Sequence, residues 1–248
     1  IQFIVDKNDE VYVLEVNPRS SRTVPFLSKV SSVSMVDIAT KAIMGISLKD
    51  QGYKTEVKEE PKRIHVKAPV FSFAKLRSVD PTLGPEMKST GEALGSDITL
   101  EKAIYKAMIS SGIKIPLFGS VLITVYDADK PQALELAKRF QRIGYSIYST
   151  EGTAKYLMDH GVYARSVKKV NDGDQITDDT VVDIIIKGKV NYVINTISQN
   201  KSSAKDGFLI RRFAAENAIP CFTSLDTADR NLRNPYGKYK LKYMQSAQ

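Results

Sequence analysis

The chain has 248 residues, of which 42% are hydrophobic, 26% charged and 8% aromatic; this composition excludes disordered, collagen-like and low-complexity proteins. The formal net charge is +8, but five basic residues and no acidic one lie from Arg230 onward, which argues against a nucleic-acid-binding face. One cysteine, Cys221, excludes a disulfide framework and a cysteine-based zinc site. Since no apolar stretch is long enough to span a bilayer, we expect a cytoplasmic protein without membrane or nucleic-acid partners.

The first part of the sequence predicts a β-hairpin followed by scattered elements. Two apolar runs, at 1–5 and 11–16, flank a polar turn. A chain that starts within a strand indicates a fragment, or one piece of a split protein. The next predicted elements are a helix over 36–44, a strand over 64–73 and a helix over 99–110, with glycines and prolines breaking the chain between 81 and 95.

Near residues 112–116 the pattern changes to a regular alternation of strands and helices. The predicted strands are 120–126, 145–149, 164–167 and 192–196, and the predicted helices are 131–143, 153–160, 177–186 and 207–217. Short links between them indicate an open, mainly parallel sheet with helices on its faces. We therefore predict an α/β chain with two domains, at 1–114 and 115–248.

A first candidate site lies at the end of the second predicted strand. Glu15 and Asn17 are two residues apart, so both side chains lie on one face of the strand. Mg²⁺ prefers oxygen ligands, usually one or two carboxylates together with phosphates, and Arg19 and Arg22 could neutralise a polyphosphate. The alternative is an exposed strand end with solvated charges.

A second candidate site lies at the carboxyl ends of the later strands. Thr150, Gly152 and Thr153 end a strand and open a helix, where N–H groups, hydroxyls and the helix dipole suit an anion. The alternative is simple N-capping by one of the two threonines. Polar residues follow three further strands and would meet at the same edge of a parallel sheet: Thr124 with Lys130, Lys168 with Lys169, and Asn195 with Thr196 and Ser198. Together they predict a site for a phosphorylated ligand.

Two motifs resemble those of a known family. The string EVNPRSSRTVPF at 15–26 resembles the closing segment of the ATP-grasp fold in the large subunit of carbamoyl phosphate synthetase. The run VDPTLGPEMKSTGE at 79–92 is very particular to that family, and the downstream domain resembles its methylglyoxal-synthase-like regulatory domain. The resemblance covers essentially the whole chain. It implies the end of the second ATP-grasp module, which phosphorylates carbamate, followed by an allosteric domain.

The resemblance also implies roles for single residues. Gln2, Glu15 and Asn17 match ligands of Mg²⁺ or Mn²⁺, Gln2 and Glu15 also match ATP-binding positions, and Arg19 and Arg22 match catalytic positions at the phosphate and carbamate end. The positions that match the nucleotide-effector site are Lys130, Thr150, Thr153, Lys169, Asn195 and Thr196, with Ser198 close by.

A synthetase of this family would make carbamoyl phosphate from bicarbonate, glutamine-derived ammonia and two ATP, for pyrimidine and arginine biosynthesis. The implied partners are the remainder of the large subunit, a small glutamine amidotransferase subunit and an effector such as UMP, UTP, IMP or phosphoribosyl pyrophosphate. The chain alone is expected to lack carbamate kinase activity, because the lobe that cradles the nucleotide would precede residue 1.

Some positions depart from the family pattern. Glu151 would oppose an anion unless its side chain points outward. Glu92 matches a position that contacts ornithine, but Phe222 and Ser224 stand where ornithine-activated members have Tyr and Thr, which argues against ornithine activation.

Two other functions stay open. One is a stand-alone methylglyoxal synthase, which would need a carboxylate after the strand ending at 196, whereas the nearest downstream acid is Asp206. The other is a passive binding module.

Overall fold

The structure is a computed structural model that describes residues 1–19, 21–53, 62–71, 87–169, 180–196 and 201–233, with only the backbone of 201–205. Two compact units follow each other along the chain, Ile1–His65 and Val66–Gln248. The functional boundary expected near residue 114 stays a prediction.

The first unit begins with the predicted hairpin. Strands β1 (Gln2–Val5) and β2 (Val11–Glu15) are antiparallel, with Gln2 opposite Glu15 and Val5 opposite Val11. All residues of both strands are exposed, although most are apolar. The hairpin therefore has no buried face of its own.

Two helices follow the hairpin, and only the second was predicted. Helix α1 (Thr23–Ser31) ends at Ser32, which adopts the left-handed conformation with φ of 56°. Helix α2 (Met35–Ile43) begins at the N-cap Ser34, whose hydroxyl accepts a hydrogen bond from the Asp37 N–H. It ends before Gly45, whose φ of 91° permits the chain reversal that a C-terminal glycine allows.

The second unit opens with a strand pair and a helix. Strands β3 (Ile64–Val70) and β4 (Gly91–Asp97) form a two-stranded sheet, and helix α3 (Leu100–Ser110) packs on β4. The expectation of a broken chain was wrong for 91–95, which lie within β4. A Cβ at Gly95 would lie 2.0 Å from the carbonyl oxygen of Ala103, so this glycine permits close helix packing rather than a turn.

The predicted parallel α/β architecture is confirmed by a five-stranded sheet. Its strands are β5 (Ser120–Thr124), β6 (Ser146–Thr150), β7 (Arg165–Val167), β8 (Tyr192–Asn195) and β9 (Cys221–Phe222), all parallel in the order β7-β6-β5-β8-β9. The helices are α4 (Lys130–Arg142), α5 (Glu151–Asp159), α6 (Val181–Ile186), α7 (Lys201–Glu216) and α8 (Leu225–Leu232). The sequence analysis missed β9, α8 and the 3₁₀ turn Asp127–Asp129.

The core lies on both faces of this sheet. Val121 and Ile123 of β5 join one cluster with Phe140 and Leu157, whereas Leu122 joins the opposite cluster around Ile184. This division follows from the alternation of side chains along a strand. Within the described part of the chain, no helix has the length and apolar character needed to cross a membrane.

Candidate effector-binding cavity

The parallel topology brings the polar strand ends together. Thr124 and Asn195 are paired across β5 and β8, and Thr150 ends the neighbouring strand β6. Beyond these ends lies a cavity of about 220 Å³. Of the predicted effector positions, six line it: Lys130, Thr150, Thr153, Lys169, Asn195 and Thr196. Ser198 lies outside the described residues.

The ammonium of Lys130 lies beside the start of helix α5. Its Nζ is 2.6 Å from Asp127 Oδ1 and 5.9 Å from the ring centre of Tyr156. A Cβ at Gly152, in the first turn of α5, would lie 3.7 Å from that Nζ. A cation and a helix N-terminus therefore meet at one side of the cavity, an arrangement that favours an anionic ligand.

The threonines at this helix start do not follow the simple capping alternative. Thr150 occupies the N-cap position with extended backbone, yet its side chain makes no capping hydrogen bond. Thr153 is buried and lines the cavity. Glu151 is exposed and is not among the described residues that line the cavity, which is compatible with an anion site.

The opposite wall is held by hydrogen bonds between β5 and β8. Asn195 is buried, and its Nδ2 donates to Thr124 Oγ1 at 2.8 Å. The Thr196 hydroxyl accepts from the backbone N–H of Tyr126 at 2.9 Å. These bonds tie the loop after β5, which carries Asp127 and leads to Lys130, to the end of β8.

Two carboxylates line the cavity as well, and the sequence analysis did not assign them there. The nearby Lys130 ammonium, by its hydrogen bond and its charge, and more weakly the charge of Lys169, lower the pKa of Asp127. Asp206 lies in the first half of α7, which lines the cavity with Asp206, Gly207 and Ile210. The turn signal at 127–129 could have indicated Asp127, because an acid three residues before Lys130 can reach it.

The predicted metal and ATP residues lie together on the hairpin. Gln2 is paired with Glu15, and Asn17 Nδ2 donates to Glu15 Oε1 at 2.8 Å. The described residues contain no cluster of three or more His, Cys, Asp or Glu that could hold a metal ion, so a site here would rest on one carboxylate and two amides. That set of oxygen donors fits Mg²⁺ or Mn²⁺ when phosphates complete the coordination. Arg19 and Arg22 follow, both exposed, between β2 and α1.

Glu92, Phe222 and Ser224, the positions compared with the ornithine site, each contact another described residue. Lys67 Nζ lies 3.3 Å from Glu92 Oε1 across β3 and β4. The ring of Phe222 stacks on Tyr192, and the Ser224 hydroxyl accepts from the Thr227 N–H at the start of α8. That ornithine does not activate the protein stays a prediction.

Two family models match the chain. Residues 1–51 match the carbamoyl-phosphate synthase L chain, ATP binding domain, which indicates an ATP-dependent ligase family, and residues 132–223 match the MGS-like domain. Among solved structures, the methylglyoxal synthase from Elizabethkingia anophelis NUHP1 is 17% identical over 50% of this chain and 82% of that one, with a TM-score of 0.37. Taken in order along the chain, the two family matches correspond to the C-terminal end of the carbamoyl phosphate synthetase large subunit.

Proposed function

We propose that this chain is the regulatory end of a carbamoyl phosphate synthetase and that its cavity binds a nucleotide or another phosphorylated effector. One observation carries the proposal: residues predicted from the sequence at the ends of four separate strands line a single cavity at the carboxyl edge of the sheet. In open α/β sheets this edge is the usual place for ligands.

The chemistry of the cavity suits a phosphate dianion. Lys130 and Lys169 can donate charge-assisted hydrogen bonds, each contributing about 1.5–3 kcal/mol. Hydroxyls of Thr150 and Thr153 and the first-turn N–H groups of α5 add neutral donors. A ligand at Lys130 would compete with the Asp127 carboxylate for the same ammonium, and a phosphate dianion carries the higher charge of the two.

The regulatory part of the proposal is a coupling between this cavity and the ATP-grasp module. An effector that favours one state of that module would change its activity by a coupling free energy of typically about 1–3 kcal/mol. In the whole enzyme the module would work with the remainder of the large subunit and a glutamine amidotransferase subunit in the cytoplasm, making carbamoyl phosphate for pyrimidines and arginine.

The hairpin would contribute metal and ATP ligands to that module. Gln2, Glu15 and Asn17 would hold Mg²⁺ or Mn²⁺, which would supply positive charge for the ATP phosphates, while Arg19 and Arg22 would offset further phosphate charge. Because the strands of this hairpin are exposed along their whole length, the chain alone is expected to form no carbamoyl phosphate from carbamate and ATP. Steady ATP-dependent product formation by the purified chain would contradict this.

The effector proposal is tested by titration calorimetry of the chain with UMP, UTP, IMP and phosphoribosyl pyrophosphate, with uridine as the phosphate-free control. We expect at least one phosphorylated compound to bind and to raise the melting temperature, and uridine to do neither. If no compound binds, the passive binding module becomes the better description. If uridine binds as well as UMP, the cavity does not recognise phosphate.

One observation favours a second candidate, a methylglyoxal synthase. That reaction needs a carboxylate near the phosphorylated substrate, and Asp206 lines the cavity. The assay is formation of methylglyoxal and phosphate from dihydroxyacetone phosphate. We expect neither product; equal amounts of both, lost in Asp206→Asn, would establish the lyase instead.

A further inference from the structure

Arg211 contacts the back of the cavity through another residue. It lies on α7, and its NH1 donates to Asn195 Oδ1 at 2.6 Å. Arg211 is not among the described residues that line the cavity, whereas Asn195 is. The Arg211 guanidinium can therefore affect a bound ligand in two ways: through the Asn195 amide, or through the long-range electrostatic effect of the guanidinium charge.

The contact determines which side of the Asn195 amide meets the cavity. A guanidinium has only donors, so the amide oxygen must face Arg211 and the NH₂ group must face away. That NH₂ group donates to Thr124 Oγ1 at 2.8 Å, and its only other acceptor among the residues that the structure describes, the Thr124 carbonyl oxygen, is at 3.5 Å. The second N–H thus has a weak partner that an anion could replace.

Gly207 leaves room for this contact. It lies one turn before Arg211 on α7, and a Cβ there would lie 2.9 Å from Arg211 NH1 and 3.3 Å from Asn195 Oδ1. A side chain at this position would press on both members of the pair. A glycine is therefore needed at position 207 because Arg211 and Asn195 both lie close to its Cα, an observation separate from the hydrogen bond between those two residues.

We propose that Arg211 is a positioning residue of the cavity: it fixes the Asn195 amide so that an N–H, and not the carbonyl oxygen, faces a phosphorylated ligand. The inference rests on the proposed effector function. With the amide reversed, its oxygen would face the anion, and a donor at the end of β8 would become a repelling acceptor.

The first test is a double-mutant cycle on the full chain, with UMP and inorganic phosphate as probes. Arg211→Met should weaken binding of both by about tenfold, the effect of one charged-group hydrogen bond, and Arg211→Lys, which keeps a cationic donor, should recover most of it. In an Asn195→Ala background, Arg211→Met should cause no further loss, because the two residues act as one unit. Equal losses in both backgrounds, or full affinity in Arg211→Met alone, would overturn the positioning role.

The second test needs no ligand. The Asn195 side-chain amide signals, identified by their loss in Asn195→Asp, should exchange slowly with water in the wild type and in Arg211→Lys, but quickly in Arg211→Met. Unchanged protection in Arg211→Met contradicts the inference even if the affinities fall. If the wild type binds neither probe, the effector function and the ligand role of Arg211 both fail, while this readout still decides whether Arg211 holds the amide.

Discussion

The two regions that carry predicted site residues differ in what surrounds them. In the unit Ile1–His65 none of the described residues is buried, and apolar side chains such as Phe3, Val13 and Ile43 are 55%, 60% and 85% exposed. In the parallel-sheet domain, by contrast, core clusters lie on both faces of the sheet, and Asn195 and Thr153 at the cavity are themselves buried.

The difference shows how far a motif depends on its surroundings. A two-stranded hairpin is marginally stable in water without a packed face, so Gln2, Glu15 and Asn17 have few contacts to hold their geometry. The cavity residues instead follow strands fixed by the core, which lowers the cost of arranging them for a ligand. Matched pairs of variants test this contrast: two pairs compare the two surroundings, and two compare neighbouring residues within the sheet domain.

The largest expected effect is on stability. Phe140→Ala removes a fully buried ring that packs edge-on against Tyr145 and Tyr192 and should lower the free energy of unfolding by about 3–5 kcal/mol. Phe3→Ala, at an exposed position of β1, should change it by less than about 0.5 kcal/mol. Urea unfolding followed by circular dichroism measures both. Similar losses of unfolding free energy in the two variants would show that the two regions are stabilised alike.

The second effect is on ligand binding, within the sheet domain. Lys169→Ala should weaken binding of a phosphorylated effector by about tenfold or more, because a lost charged hydrogen bond costs about 1.5–3 kcal/mol. Lys168→Ala is the matched control, since that lysine is adjacent, exposed and not among the described lining residues. Calorimetry with UMP compares them; equal affinities for the two variants would remove Lys169 from the site.

The third effect is on the pH dependence of stability and contrasts two tyrosines. Burial raises the pKa of Tyr145 to about 12, and its hydroxyl donates to the Pro116 carbonyl oxygen. The pKa of the exposed Tyr12 is raised chiefly by its hydrogen bond to Glu10. Between pH 10 and 12 the unfolded chain loses the Tyr145 proton while the folded chain retains it, so stability falls as pH rises.

Tyr145→Phe should therefore flatten the decline between pH 10 and 12, and Tyr12→Phe should leave it nearly unchanged. Urea midpoints measured at steps across this range give both slopes. Because burial also raises the pKa of Cys221 to about 12, the quantity to compare is the difference between each variant and the wild type. An unchanged slope in Tyr145→Phe would contradict the assignment.

The smallest expected effect concerns the exposed Asp127 carboxylate at the cavity. Asp127→Asn should raise the affinity for a phosphorylated effector by about threefold, since the ligand no longer displaces a competing exposed anion from Lys130. Asp129→Asn, in the same turn but not among the described lining residues, is the control and should have no effect. Weaker binding in Asp127→Asn would show that the carboxylate holds the ligand or the lysine in place.

Much of the fold could be predicted from periodicity. Strands β5 and β8 are almost entirely buried, and the long helix α4 has a buried face, so all three have strong apolar patterns. Their observed positions agree within a few residues with the predicted ones. The elements that were missed have weak local signals. Strand β9 has two residues, and β4 contains two glycines whose role is close packing against α3.

Part of the site was predictable because its residues lie at the ends of strands that periodicity had identified. Lys130 and Lys169 follow predicted strands and Asn195 lies near the end of another, so a parallel sheet was enough to bring them to one edge. Asp206 and Arg211 follow no strand directly, and they reach the site because α7 packs beside the end of β8. Such placement depends on helix packing, which the local sequence does not specify.

The sequence by itself determined the alternation of elements, the family resemblance and the residue types at the strand ends, because backbone preferences and apolar periodicity are local properties. Tertiary structure alone decided that Asn195 donates to Thr124 and that Arg211 orients Asn195. Hydrogen bonds and ion pairs between distant segments depend on distances of a few ångströms, and only the packing of the whole sheet with its helices sets those distances.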